Sequence, residues 1–63
     1  MFFTVRQLAQ ASGRKEATIR QHIRLGWLKA STIAGVHGKR IAERDAQRWM
    51  RLHFPHRQLE VAA

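Results

Sequence analysis

One short stretch, residues 17–28, constrains the fold of this chain more than any other. Ile19 and Ile23 are four residues apart, so on a helix they lie on one face and can be buried together. Gly26 tolerates a positive φ and predicts the end of that helix. A helix with an apolar back and a polar, cationic front suits the major groove of DNA, although a solvated surface helix has the same pattern. The expected front carries Ala17, Thr18, Gln21 and Arg24, with Arg20 on the flank.

The chain is short and strongly basic. Its 63 residues allow one small domain with a modest core. Twelve Lys and Arg against four Asp and Glu give a net charge of +8, which predicts a polyanionic partner: DNA, RNA or an acidic membrane surface. The sequence has no cysteine, no apolar run long enough to span a membrane and no visible signal peptide. We therefore expect a cytoplasmic, nucleoid-associated protein.

The first helix has strong local signals at both ends. Thr4 and Gln7 are spaced as a capping box, and Gly13 is placed as the left-handed residue that ends a helix. These signals predict a helix over about residues 5–11. The helix that follows is predicted to be poorly capped, because Lys15 stands where Ser, Thr or Asp is favoured.

A β-hairpin and a third helix are expected to follow. Residues 30–34 and 39–42 are β-tolerant segments on either side of a glycine-rich turn, which predicts a small hairpin with a basic tip. Residues 45–53 have apolar side chains at helical spacing and precede Pro55. Trp49 is expected to be the largest side chain of the core. The predicted buried face carries Ala42, Ala46, Trp49, Met50 and His53.

This order of elements defines the expected fold class. The chain is predicted to be mostly α with a small β-hairpin, as in a compact winged helix-turn-helix. The domain would cover residues 1–53, followed by a C-terminal tail over residues 54–63. The tail carries Phe54, Leu59 and Val61, for which the small core has no evident use. These side chains are therefore candidates for DNA-dependent self-association.

Motifs between residues 3 and 52 occur in a characteristic order. They are Thr4-Val5-Arg6-Gln7-Leu8-Ala9, then Gly13 with Thr18-Ile19-Arg20 and Gly26-Trp27-Leu28, then Gly38-Lys39-Arg40-Ile41 with Asp45 and Trp49-Met50. In order and spacing they resemble the MerR-type and phage-excisionase-like winged helix-turn-helix family. The length resembles stand-alone excisionases, because MerR regulators continue into a dimerising coiled coil. The chain departs from the family pattern at Arg14-Lys15, where Val-Ser is usual, at Ala17, where many relatives have Arg, and at Arg44, where a capping Ser is common.

The resemblance implies that the second helix enters the major groove and that the hairpin contacts the backbone or minor groove. Gln21 can pair with adenine and the Thr18 methyl can contact a thymine methyl, whereas Arg20 and Arg24 suit phosphates. A basic hairpin tip suits a narrow minor groove. The candidate DNA-binding residues are Lys15, Ala17, Thr18, Arg20, Gln21 and Arg24 of the second helix, His37, Lys39 and Arg40 of the hairpin, and Arg6 of the first helix.

The sequence offers little for a metal, a cofactor or catalysis. No two of its four histidines are four residues apart, and no cysteine completes a metal site. The four acidic residues are scattered and form no recognisable catalytic set. We expect a protein that is not an enzyme and needs no metal or cofactor.

The expected function is sequence-specific binding of duplex DNA. The resemblance favours an excisionase, or recombination directionality factor, that acts architecturally by cooperative binding and DNA bending, with an integrase as partner. A small MerR-like transcriptional repressor and the DNA-recognition domain of a phage packaging protein are alternatives. From other classes, an RNA-binding protein and a protein-interaction module remain open, although the net charge of +8 disfavours the latter.

Overall fold

The computed structural model describes residues 1–33, 35, 38–57 and 59. Over these residues the chain forms three helices and a three-stranded antiparallel sheet, and is roughly half helical. The elements in chain order are β1 (Phe2–Thr4), α1 (Val5–Ser12), α2 (Glu16–Arg24), β2 (Ser31–Thr32), β3 (Lys39–Ala42) and α3 (Glu43–His53). In the sheet the strand order is β1-β3-β2, so β3 is central.

Strand β1 is an element that the sequence did not predict. Phe2 pairs with Ala42 and Phe3 pairs with Ile41, so the first residues of the chain join the strand that precedes α3. A three-residue strand is too short to show an alternating pattern, and its pairing partner is distant in the sequence. The expected two-stranded hairpin is therefore part of a three-stranded sheet.

The hairpin itself is shorter than expected. Its first strand has only Ser31 and Thr32, which pair with Arg40 and Lys39 of β3. The predicted DNA contact His37 lies outside the described residues, as do Ala34 and Val36.

Helix α1 confirms the predicted end signals. The Gln7 backbone N–H donates to Thr4 Oγ1 at 3.0 Å, and the Thr4 N–H donates to Gln7 Oε1 at 2.8 Å, which completes the capping box. Gly13 ends the helix with φ at 72°. This ordered stop matters because α2 begins only three residues later, at Glu16.

Helices α2 and α3 both begin without a side-chain cap. Lys15 provides none for α2, as predicted, and Ala42 provides none for α3. Acidic residues in the first turns stabilise both helices instead, because their negative charge interacts favourably with the helix dipole. They are Glu16 in α2, and Glu43 and Asp45 in α3. Of the helices in the described ranges, none is long and apolar enough to cross a membrane.

Two expectations for the buried face of α3 are wrong. Ala42 belongs to β3 rather than to the helix, because the sheet pairing continues up to the first helical residue. His53 is exposed, because it lies in the last turn, beyond the part of α3 that faces the core.

The core is built from every main part of the chain. Its largest fully buried side chain is Trp49, as predicted, at 1% exposure. Leu8 of α1, Ile19 of α2 and Ile41 of β3 are also fully buried, together with Leu28 between α2 and β2. Every helix and strand except β2, whose two residues are exposed, is therefore held by at least one large apolar side chain in a common cluster.

The segment after α3 also contributes to this packing. Phe54 and Leu59 are partly buried against the core, so the premise that the core has no use for them is wrong. The Arg57 guanidinium lies against Gly13, where an added Cβ would come within 2.8 Å of it. Val61 lies outside the described residues.

We expect Trp49→Ala to lower the free energy of unfolding by about 3–5 kcal/mol, because it empties the centre of the core. A domain of this size has little more stability in reserve. The measurement is urea unfolding followed by far-UV circular dichroism. Leu52→Ala is the control on the same helix, since Leu52 is 67% exposed, and its effect should stay within about 0.5 kcal/mol. A Trp49→Ala variant with native stability would contradict this account of the core.

Candidate functional site

Five cationic side chains line one groove of about 480 Å³ at the surface. They come from the first turn of α1, from α2 and from β3, and β3 is separated in the sequence from the two helices. They are Arg6, Arg20, Arg24, Lys39 and Arg40. We call this set of five side chains and the space between them the basic groove. All five were candidate DNA contacts from the sequence, and the fold brings them together.

The rotation of α2 explains why two of its arginines reach the basic groove. Ile19 is fully buried, and Ile23 packs partly buried against the core while also lining the groove. These two anchors turn Arg20 and Arg24 toward the groove. Arg20, which was expected on the flank of the helix, is therefore part of the site.

The sheet and the capping box position the side chains on the other side of the basic groove. Thr4 pairs with Arg40 across β1 and β3, and the same threonine caps α1. Arg6 follows in the first turn of α1, so Arg6 and Arg40 are positioned through one residue, Thr4. The Arg40 guanidinium also donates to the Lys39 carbonyl oxygen at 3.2 Å.

Of the described residues, one carboxylate lies in the basic groove. Glu16 accepts a hydrogen bond from Arg20 at 3.2 Å, one turn apart on α2, and both side chains are solvent-exposed. An exposed pair of this kind contributes little to stability. It is the only ion pair in the described part of the chain, so Arg6, Arg24, Lys39 and Arg40 are left without an acidic partner there. The groove is therefore strongly electropositive.

The remaining predicted contacts lie outside the basic groove. Ala17 and Gln21 are exposed on α2, as expected for its front. Thr18 is half-buried, which places it nearer the flank than the front. Lys15 is exposed at the start of α2 and lines a shallow depression with Arg6 and Arg14.

A cluster of aromatic rings, which sequence reasoning missed, lies beside the core. Trp49 Nε1 donates a hydrogen bond to His22 Nδ1 at 3.0 Å, which joins α3 to α2. His22 also lies edge-on to Trp27, with ring centroids 5.0 Å apart, and 5.3 Å from the ring of His53. No sequence pattern indicates the hydrogen bond between His22 and Trp49, because the two residues are 27 positions apart. The described residues contain no group of three side chains suited to a metal ion.

Arg14 has a structural partner on the other side of this cluster. Its guanidinium carbon lies 5.5 Å from the centroid of the Phe54 ring, a cation–π arrangement. Phe54 in turn lies edge-on to Trp49 at 5.1 Å. Arg14 thus holds Phe54, the first residue after α3, against the turn between α1 and α2.

Comparison with known proteins identifies no family for this chain. The chain matches no protein-family model, no curated protein and no solved structure. What the site binds therefore has to be inferred from its own residues.

The environment of His22 makes stability depend on pH. Burial lowers the pKa of His22, and the nearby positive charges of His53 and Arg14 lower it further. The unfolded chain therefore binds a proton at His22 more readily than the folded chain does. The contribution of neutral His22 is fully present above about pH 6.5, the ordinary pKa of histidine, and is lost as the pH falls through the lower folded value.

We expect the free energy of unfolding to fall as the pH is lowered below about 6.5, the ordinary pKa of histidine, since protonation abolishes the acceptor for Trp49. Urea unfolding at a series of pH values measures this. His22→Asn retains an acceptor near the Nδ1 position and cannot be protonated there, so it should flatten the dependence. His56→Asn, at an exposed histidine, should leave the dependence intact. Equal slopes for the two variants would show that His22 is not the group responsible.

Proposed function

We propose that this chain is a sequence-specific duplex DNA-binding protein with a winged helix-turn-helix fold. The observation that carries the proposal is the basic groove, in which cations from three elements converge beside the exposed front of α2. The order of elements supports the fold: α1 and α2 are joined by a three-residue turn, and the β2–β3 hairpin follows. Phosphate contacts of this kind position a helix on the duplex, while side chains at its front contact bases.

In this proposal α2 lies in the major groove. Gln21 pairs with adenine and Ala17 contacts a thymine methyl, because both side chains are exposed and neither is engaged in the basic groove. Arg20 and Arg24 contact phosphates, with Arg20 leaving its weak pair with Glu16. Thr18 contacts the DNA from the flank of α2, and Lys15 contacts it from the start of the helix.

The hairpin and α1 supply the remaining contacts. Lys39 and Arg40 hold the backbone on one side of α2, and Arg6 holds it from the first turn of α1. The contact predicted for His37, which lies outside the described residues, stays a prediction. Duplex RNA is the less favoured ligand, because the major groove of an A-form helix is too deep and narrow for α2 to read.

The biological role that we propose is that of an excisionase, which bends DNA through several bound copies. A single module buries only about 600–1,000 Å² on DNA, so high affinity requires neighbours. A small transcriptional repressor and a phage packaging protein's DNA-recognition domain are the alternatives. An integrase gene beside the coding sequence would favour excision, and a divergent promoter would favour repression.

The proposed contacts between copies would use the segment that follows α3. Phe54 and Leu59 pack partly buried against the core, so less of their apolar surface is available to a neighbouring copy. Contacts between copies through residues 54–63 remain a prediction.

DNA binding should depend strongly on the salt concentration. With about five phosphate contacts, the slope of log K against log salt should be near −5, because each contact releases condensed counterions. Fluorescence anisotropy with a labelled duplex measures it. Arg24→Ala should reduce the magnitude of the slope by about 1, and Arg44→Ala, an exposed arginine outside the basic groove, should leave it unchanged. A slope near zero for the native chain would overturn DNA binding.

The preference for particular base pairs should depend on Gln21. Gln21→Ala should relax the preference at one base pair and cost about 1–3 kcal/mol on the best site, because a direct base contact is lost. Arg20→Ala should weaken binding to all sequences by a similar factor, since a phosphate carries no sequence information. Binding-site selection from a random duplex pool measures both. If Gln21→Ala selects the native motif with native affinity, α2 does not read bases through Gln21.

A further inference from the structure

A second recess, separate from the basic groove, lies between the segment that follows α2 and the outer side of α3. Its volume is about 230 Å³. We call it the Trp27 cleft, and its lining residues are Gly26, Trp27, Lys29, Asp45, Arg48, Trp49 and Leu52. None of these lines the basic groove, so the two surfaces can be occupied at the same time.

Two large apolar side chains are exposed at this cleft. Trp27 is 54% exposed and Leu52 is 67% exposed, so neither is accounted for by the core. An apolar side chain does little to bind phosphate oxygens, so the proposed DNA binding does not explain the exposure of Trp27 and Leu52 either. Exposed tryptophans beside a recess are typical anchors of protein–protein interfaces.

The ring of Trp27 is held in place before any partner binds. It stacks on His53, with ring centroids 5.6 Å apart and planes 18° from parallel, and lies edge-on to His22. Its backbone N–H donates to the His22 carbonyl oxygen at 2.9 Å. A side chain that is already ordered loses little entropy on binding, which favours affinity.

The size and charge of the Trp27 cleft select its occupant. Its volume is below the range of about 300–1,000 Å³ that is usual for small-molecule sites, and it suits an inserted side chain. Lys29 and Arg48 are exposed at its edge and have no ion pair within the described part of the chain. Among the described lining residues Asp45 is the one carboxylate, and it lies in the first turn of α3, where its negative charge interacts favourably with the helix dipole.

We propose that the Trp27 cleft binds an acidic segment of another protein. The segment inserts an apolar side chain between Trp27 and Leu52 and directs carboxylates toward Lys29 and Arg48. A second copy of this chain fits less well, because a two-fold contact would bring the same cations of both copies together. A lipid surface also fits less well, since the cleft is concave and membrane insertion needs apolar side chains that protrude.

The test is a selection from random dodecapeptides displayed on phage. The library is first depleted on the Trp27→Ala variant and then selected on the native chain. We expect enriched peptides that combine a large apolar residue with flanking Asp or Glu. A labelled synthetic copy of the most enriched peptide should bind the native chain at least about tenfold more tightly than Trp27→Ala, since anchor residues dominate such interfaces.

Two further variants separate a binding role from a folding defect. Lys29→Glu and Arg48→Glu change exposed side chains only, and each should weaken the peptide several-fold while circular dichroism stays native. Arg24→Ala, in the basic groove, should leave peptide affinity unchanged. In NMR spectra the peptide should shift the indole N–H signal of Trp27 more than that of Trp49, which is buried.

Several results would overturn the proposal. It fails if no enriched peptide distinguishes the native chain from Trp27→Ala, or if Lys29→Glu and Arg48→Glu bind the peptide as the native chain does. It fails if duplex DNA displaces the peptide, because the two surfaces would then not be separate. It also fails if vesicles of phosphatidylcholine and phosphatidylglycerol bind through Trp27 while peptides do not. Peptide binding without any DNA binding would leave this inference standing and overturn only the proposed function.

Discussion

The hydrogen bond between Trp49 and His22 joins the two helices on which the rest of the structure depends. Trp49 fills the centre of the core, and its only polar atom needs an acceptor when the ring is buried. His22 supplies that acceptor from α2, on a different side of the helix from the arginines of the basic groove. The core residue of α3 therefore helps to set how α2 is rotated, and so which of its side chains reach the surface.

The same contact also supports the Trp27 cleft. Trp27 rests on His22 and His53, so the ring that borders the Trp27 cleft is supported by the residue that receives the Trp49 hydrogen bond. A change in the charge of His22 would act on α2 and on the cleft together. This coupling is local and needs only that the aromatic rings stay packed against each other.

The sheet likewise positions side chains of the basic groove, on the other side of α2. Pairing of β1 with β3 brings Thr4 opposite Arg40, and the capping box then starts α1 at the next residue. This pairing therefore fixes Lys39 and Arg40 of β3 relative to Arg6 of α1. The electropositive groove is thus a product of a short edge strand that carries no charge of its own.

The sequence by itself determined the features that depend on neighbouring residues. The capping box of Thr4 and Gln7, the stop at Gly13, the uncapped start after Lys15 and the amphipathic spacing around Trp49 all act within a turn or two of helix, so their signals are visible in the chain. Tertiary structure decided what depends on distant partners. These are the pairing of β1, the acceptor for Trp49, the packing of Phe54 and Leu59, and the grouping of five cations in one groove. Such contacts form only when burial of the whole core fixes the elements relative to one another, and no spacing along the chain encodes them.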